Sequence, residues 1–325
     1  MTLETETVLD RRRLRRSLGL WRGMAIAALA LAGGAYAFSG SQKLAELTGG
    51  KQIARIAIEG TIFENREQLK LLQKISDAKN VEGVILFVNS PGGTTAGGEA
   101  LYLALRELAK KKPVVAQFGT VAASAGYIIG LGTDHIVARG NTITGSIGVL
   151  MQWPEFSELL GRLGVKYNEV KSGPLKASPS PFAPMDEPSR KVTEDMIQDG
   201  FQWFLSLVQD RRGIDPKAVP GLTDGRIFSG RQALSAKLVD EIGGEAEAVR
   251  WLEDKRQVAK DLKVVDWKPK ADQGGWFGLG FSSLAESVGA GAVAELFGRG
   301  RTFPGVGPGL GLDGLVSVWH PQKTQ

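Results

Sequence analysis

From Lys51 onward, short apolar runs alternate with stretches of helical periodicity, the pattern of βαβ units around a largely parallel sheet. Residues 53–58 alternate apolar and polar positions before Gly60 turns the chain, and residues 66–78 carry leucines and isoleucines at helical spacing. Residues 84–88, Val-Ile-Leu-Phe-Val, form a continuous β-type run of the kind buried on both faces, closed by Asn-Ser-Pro-Gly-Gly (89–93). Residues 100–111 predict a helix, and residues 113–118 predict the next strand, which runs straight into Val-Ala-Ala-Ser-Ala-Gly-Tyr (121–127). Further strands are expected over 135–138 and 147–151. Residues 187–212 then predict an amphipathic helix with Met196, Ile197, Phe201, Phe204, Leu205 and Val208 on one apolar face. After Trp267 the periodicity weakens: a short helix is expected over 284–297, a glycine-rich linker over 298–314, and an extended strand over 315–320.

The N-terminal stretch is different in kind. Arg11, Arg12, Arg13, Arg15, Arg16 and Arg22 face only Glu4, Glu6 and Asp10, so they carry much of the net charge of +5. The remainder is near neutral, which argues against a nucleic-acid partner. The uncharged run 23–38 would make a helix of about 24 Å, a short single span with Trp21 at the interface and Arg22 snorkelling. Arginines on its N-terminal side would hold that end in the cytoplasm and place everything after Ser39 outside. Ala35-Tyr36-Ala37 also has the small-x-small pattern a signal peptidase accepts, so a cleaved segment stands as the alternative to a retained anchor. The expected organisation is a basic N-terminus (1–22), an anchor (23–38), a linker (39–50), a catalytic domain (51–268) and a glycine-rich tail (269–325).

The chemistry turns on Ser124. The chain has no cysteine and two histidines, which removes cysteine nucleophiles, disulfides and thiolate metal sites. His135 opens a strand after a turn and His320 lies in the tail, so neither suits a triad and neither metal nor cofactor is expected. A serine hydroxyl needs a base, and the remaining option is lysine. Lys176, among Pro174, Leu175, Ala177 and Pro179, is the preferred base, and Lys171 is its rival. An ordinary lysine is protonated at neutral pH, so either would need a dry site that favours the neutral amine. Ser124 itself lies at a strand-to-helix transition among small residues, where an ordinary N-cap role is the competing explanation. Paired glycines at 92–93 end an apolar strand and can present a backbone amide to open space. One of them, preferably Gly93, together with the amide of Ala125 would make a two-donor oxyanion hole, each donor worth on the order of 100-fold in rate. Ser146, in Thr-Gly-Ser-Ile-Gly (144–148), is placed to orient the lysine amine.

These motifs resemble signal peptide peptidase A in its short bacterial form, a serine peptidase with the Clp protease/crotonase-like α/β fold. The resemblance spans about residues 50–265 and rests on Val-Asn-Ser-Pro-Gly-Gly (88–93), Ala-Ala-Ser-Ala-Gly-Tyr (122–127), Thr-Gly-Ser-Ile-Gly-Val (144–149), Lys-Ser-Gly-Pro-Leu-Lys (171–176), Asp-Gly-Arg-Ile-Phe-Ser-Gly-Arg-Gln-Ala (224–233) and Leu-Val-Asp-Glu-Ile-Gly (238–243). It implies Ser124 as nucleophile, Lys176 as general base, Ser146 as the serine holding the lysine, and Gly93 as the oxyanion glycine. It further implies a protein anchored by one transmembrane helix in the cytoplasmic membrane, its catalytic domain on the outer side, hydrolysing apolar peptides such as remnant signal peptides. Homo-oligomers are implied too, an octamer being the working expectation, with catalytic groups assembled across neighbouring subunits and a C-terminal tail that reaches an active site.

Two departures bear on specificity. The family's Ser-Gly-Gly is Ser124-Ala125-Gly126 here, and its Lys-Asp is Lys176-Ala177. An alanine methyl at 125 would either narrow the first specificity pocket or alter the approach of the residue's amide. Two other functions compete: a crotonase-like acyl-CoA enzyme, which would share the glycine oxyanion hole, and a non-catalytic oligomeric membrane scaffold.

Overall fold

A computed structural model describes residues 50–269, together with Trp21, Met24 and Val316–Val318. The chain divides into two units, Met1–Lys51 and Gln52–Gln325. In the first, Trp21 and Met24 have helical backbone and exposed side chains. Apart from Trp21 and Met24, the basic N-terminus and the expected anchor over 23–38 lie outside the described residues, as do the tail helix over 284–297 and the linker over 298–314. Among the described residues no helix is long and apolar enough to cross a membrane.

The second unit is built on a mixed eight-stranded sheet. Strands β1 (Gln52–Glu59), β2 (Val81–Ser90) and β4 (Val114–Ala123) pair in parallel, and β9 (Lys263–Asp266) adds to the outer edge of β1. Beyond β4 the sheet forks. The first half of β4 pairs with β5 (His135–Ala138), with Val115 opposite His135, and the second half pairs with β6 (Ile143–Gly145), with Val121 opposite Ile143. β7 (Ile227–Ser229) runs antiparallel to β6, and β8 (Glu241–Ile242) extends β5. The C-terminal end of β4 lies between β6 and the end of β2, where Ala122 is opposite Ser90, and Ser124 follows it directly.

Strand alternation divides the core. Ile56, Leu86 and Ala116 belong to the larger cluster, shared with helices α1 (Arg66–Asp77), α2 (Thr95–Ala109), α3 (Ala125–Leu131) and α5 (Glu187–Arg212). Ile53, Ile85, Val115 and Val137 face the other way, onto Ala248 and Leu252 of α7 (Glu245–Arg256). The remaining helices, α4 (Ser157–Arg162) and α6 (Gly230–Ser235), are short. Both faces of the central strands are covered, which explains why residues 84–88 read as an unbroken apolar run.

Two expectations are corrected. Residues 147–151 are not a strand: Gly145 and Ser146 have φ of 80° and 52°, which turns the chain out of the sheet after β6, so the apolar residues that follow line a cavity instead. The apolar face expected on α5 is also split. Phe204, Leu205 and Val208 are buried, whereas Met196 is exposed and Ile197 and Phe201 line that same cavity, because only the C-terminal half of the helix is buried on that face. The extended segment expected over 315–320 is strand β10 (Val316–Val318), paired antiparallel with β3 (Gly92–Thr94).

Candidate active site

Ser124 sits at the strand-to-helix junction with φ 57° and ψ −121°, only 1% exposed. A non-glycine residue held in such a conformation costs on the order of 1–3 kcal/mol and persists where its surroundings over-determine it. Here the surroundings do so. The Ser124 amide donates to the Gly145 carbonyl at 2.9 Å, and its carbonyl accepts from Tyr127 and Ile128 at 2.8 and 3.0 Å. The side chain makes no capping bond to the amides of α3, so the N-cap explanation does not account for a serine at this position.

α3 is fixed by its own burial. Tyr127 is fully buried, its ring meets Phe118 edge-on at 6.3 Å, and its hydroxyl donates to the Leu238 carbonyl at 2.8 Å. That burial pushes the phenol well above its ordinary pKa, so it remains a neutral donor. Ala125 is fully buried, and a Cβ on Gly98 of α2 would approach the Ala125 methyl to 3.3 Å. The methyl therefore packs toward α2. Ala125 is not among the residues lining the cavity at Ser124.

Glycines allow close backbone packing around the start of α3 and around β3. A Cβ on Gly126 would stand 2.8 Å from the Ser90 carbonyl, so glycine is what lets the start of α3 close on the end of β2. Gly93 is pressed still harder, since a Cβ there would fall on the backbone of Ile62. Ile62 holds the glycine strand by donating to the Gly92 carbonyl at 2.9 Å and accepting from the Thr94 amide at 2.8 Å. The Gly92 amide donates to Ser90 Oγ at 3.1 Å. The result is β3 lying against α3, with β10 on it in the register Val316 opposite Thr94, Ser317 opposite Gly93 and Val318 opposite Gly92.

Ser124 opens into a cavity of about 370 Å³. Ser146 lines it, held by its amide to the Arg226 carbonyl at 2.9 Å, as do Ile147, Val149 and Leu150 after β6 and Ile197, Gln198 and Phe201 from α5. Thr223, Asp224 and Gly225 close one side. Sequence reasoning missed the α5 residues because it assigned that face to the core. It missed Asp224 because only the folded loop brings that residue to the cavity.

The two lysines do not join this group within one chain. Lys176 is exposed and is not among the cavity's lining residues. Lys171 Nζ is engaged by Glu169 Oε1 at 2.6 Å, an ion pair that a general base would first have to give up. His135 lies flat on Trp251 with ring centroids 4.8 Å apart and does not line the cavity. Ser124 and Ser146 thus share the cavity, the glycine strand packs on the helix that follows Ser124, and neither proposed base lines the cavity.

A strained, buried serine over a part-apolar cavity on an α/β sheet is a nucleophile candidate, and the comparisons with known proteins give the class as a serine peptidase. The profile of Peptidase family S49 matches residues 106–259. A Synechocystis chain with a provisional protease name is 36% identical over 203 residues, covering 62% of this chain and 73% of that one. An Enterococcus faecium chain provisionally named signal peptide peptidase SppA is 36% identical over 253 residues, covering 71% and 72%. Among solved structures, a mutant of a membrane-bound stomatin-specific protease aligns with TM-score 0.46 at 18% identity, covering 68% of this chain and 99% of that one. The chain belongs to peptidase family S49 and is a serine peptidase of the signal peptide peptidase A type.

Proposed function

We propose that the protein is a membrane-anchored endopeptidase that cleaves apolar peptides, remnant signal peptides among them, with Ser124 as nucleophile and Lys176 as general base. The observation that carries this reading is Ser124 itself: held at positive φ, buried, uninvolved in capping, and open to a part-apolar cavity. Serine attacks the scissile carbonyl while the amine takes its proton and returns it to the leaving nitrogen, and water deprotonated by the same amine then releases the acyl group and restores the serine. The oxyanion would be met by the amides of Gly93 and Ala125. Gly92 is the poorer choice because its amide is spent on Ser90 Oγ. Ser146 shares the cavity with Ser124 and would orient the arriving amine.

The antiparallel strand Val316–Val318 on Gly92–Thr94 supports the peptide-binding part of the reading, since an extended substrate would use the same edge, and it fits a tail that reaches an active site. The Clp protease/crotonase-like assignment fits a sheet that forks along β4.

The exposed position of Lys176 favours a site completed between copies. Residues 151–186, which carry it, expose Phe156, Leu159, Leu163, Val165, Tyr167, Val170, Leu175 and Phe182. Soluble chains rarely leave so many large apolar side chains uncovered in one stretch. We assign this surface to a homo-oligomer, with an octamer as working size, in which a neighbour's Lys176 is dried by contact and delivered to Ser124. The N-terminal anchor would hold the assembly on the outer face of the cytoplasmic membrane. Labelling with a fluorophosphonate tests the chemistry: the wild-type chain should carry one adduct on Ser124 and Ser124→Ala none. An unlabelled wild type that is folded and assembled would overturn the reading in favour of a scaffold.

A further inference from the structure

The motif Asp-Gly-Arg-Ile-Phe-Ser-Gly (224–230) is only partly used by the catalytic reading. The Arg226 carbonyl holds Ser146, and Phe228 and Gly230 pack into the fold, but Asp224 has no part in it. Asp224 lines the Ser124 cavity and is the one ionisable side chain among its lining residues. Among the described residues its carboxylate has no hydrogen bond or ion pair. The neighbouring cation is committed elsewhere, with the Arg226 guanidinium 4.9 Å from the Phe228 ring centroid. The loop that carries Asp224 is itself fixed: its amide donates to the Gly221 carbonyl at 3.1 Å, and Gly225 turns the chain at φ 74° against Ile147.

Asp224 is exposed at the edge of the cavity, where water solvates it in the free protein, and it is the one fixed charge that a substrate side chain entering the cavity would meet. The base lysine is a poor partner. A carboxylate beside it would hold the ammonium in its charged form, the opposite of what catalysis needs. We infer that Asp224 is a specificity-determining residue that pairs with a lysine or arginine side chain of the peptide substrate. The preferred substrate is then an apolar segment bordered by a basic residue. This inference rests on the peptidase reading above. It adds a charge requirement to the apolar walls formed by Ile147, Val149, Leu150 and Phe201.

The test uses the full-length assembled protein and a fluorogenic apolar peptide in which a single lysine is moved through the positions flanking the scissile bond, each compared with methionine at the same place. In the wild type, at least one position should favour lysine by about fivefold in kcat/KM at low ionic strength, with the preference shrinking as salt rises, as expected of a partly exposed pair. Asp224→Asn should bring that ratio to about one, and Asp224→Lys should turn it in favour of glutamate at the same position. The ratio is taken within each variant, so a partial loss of folded protein lowers both terms alike. An unchanged ratio in Asp224→Asn, or a wild type indifferent to lysine at every position, overturns the inference while leaving the peptidase standing. A wild type that cleaves no peptide and takes no fluorophosphonate overturns the peptidase and this inference with it.

Discussion

Two stretches of this chain carry the proposed dyad, and they are built in opposite ways. Around Ser124 the chain covers itself: β4 up to Phe118, Ala122 and Ala123 and every residue of α3 are buried, and glycines at 93 and 126 allow contact between backbones. Around Lys176 the chain covers little. α4 buries none of its residues, Val170 is 103% exposed, and the ring pair of Tyr167 and Phe182, 4.9 Å apart, is itself half open to solvent. Apolar side chains are plentiful in both, so composition does not separate them. In the proposed assembly the difference is whether the covering surface belongs to the same copy. The nucleophile would then be pre-organised before assembly, whereas the base would depend on it.

Core truncation should expose this contrast most strongly. Ile128→Ala, inside α3, removes a fully buried side chain and is expected to destabilise the chain by about 2–5 kcal/mol. Val170→Ser should change the stability of a single chain by no more than about 0.5 kcal/mol, yet shift the assembled particle toward smaller species in light scattering. A Val170→Ser chain that unfolds as readily as Ile128→Ala, or that assembles unchanged, would break the comparison. A smaller effect is expected from Tyr127→Phe, which orphans the buried Leu238 carbonyl. Denaturant melts should show a loss of about 1–3 kcal/mol, with Ser124 labelling slowed if α3 loosens.

The smallest effect concerns Asp186, the N-cap of α5, whose carboxyl is held below the usual range by hydrogen bonds from the Ser189 side chain and from its amide, the latter at 2.9 Å. A depressed folded pKa means that the ionised form stabilises. That contribution is present above the ordinary carboxylate pKa and is lost as pH falls through the folded value. Asp186→Asn keeps a capping oxygen but no charge. The stability gap between wild type and variant should therefore be open at neutral pH and close in acid, and a gap independent of pH would show that the charge contributes nothing.

What the sequence disclosed follows the same division. Strands buried on both faces read directly as apolar runs, as at 84–88, and the small residues around Ser124 marked a tight junction before any geometry was known. Where the reading failed, tertiary context had changed the use of an ordinary pattern. Residues 147–151 look like a buried strand, but the positive φ at Gly145 and Ser146 diverts them into a cavity wall. Ile197 and Phe201 obey the same helical period as Phe204 and Val208, yet border a cavity. The extended segment near residue 317 was visible as such, but its pairing with Gly93 was not, because no local signal encodes a partner more than 200 residues away. Asp224 and the exposure of Lys176 were hidden for the same reason: each depends on what lies across a gap.

The most direct measurement of the central claim is subunit complementation. Ser124→Ala and Lys176→Ala chains, each inactive alone, are co-expressed with different tags and the mixed particle is isolated on both. A site completed between neighbours predicts that peptidase activity returns, to roughly a quarter of the wild-type level for random placement around a symmetric ring. Mixed particles that form normally and remain as inactive as their parents would contradict it.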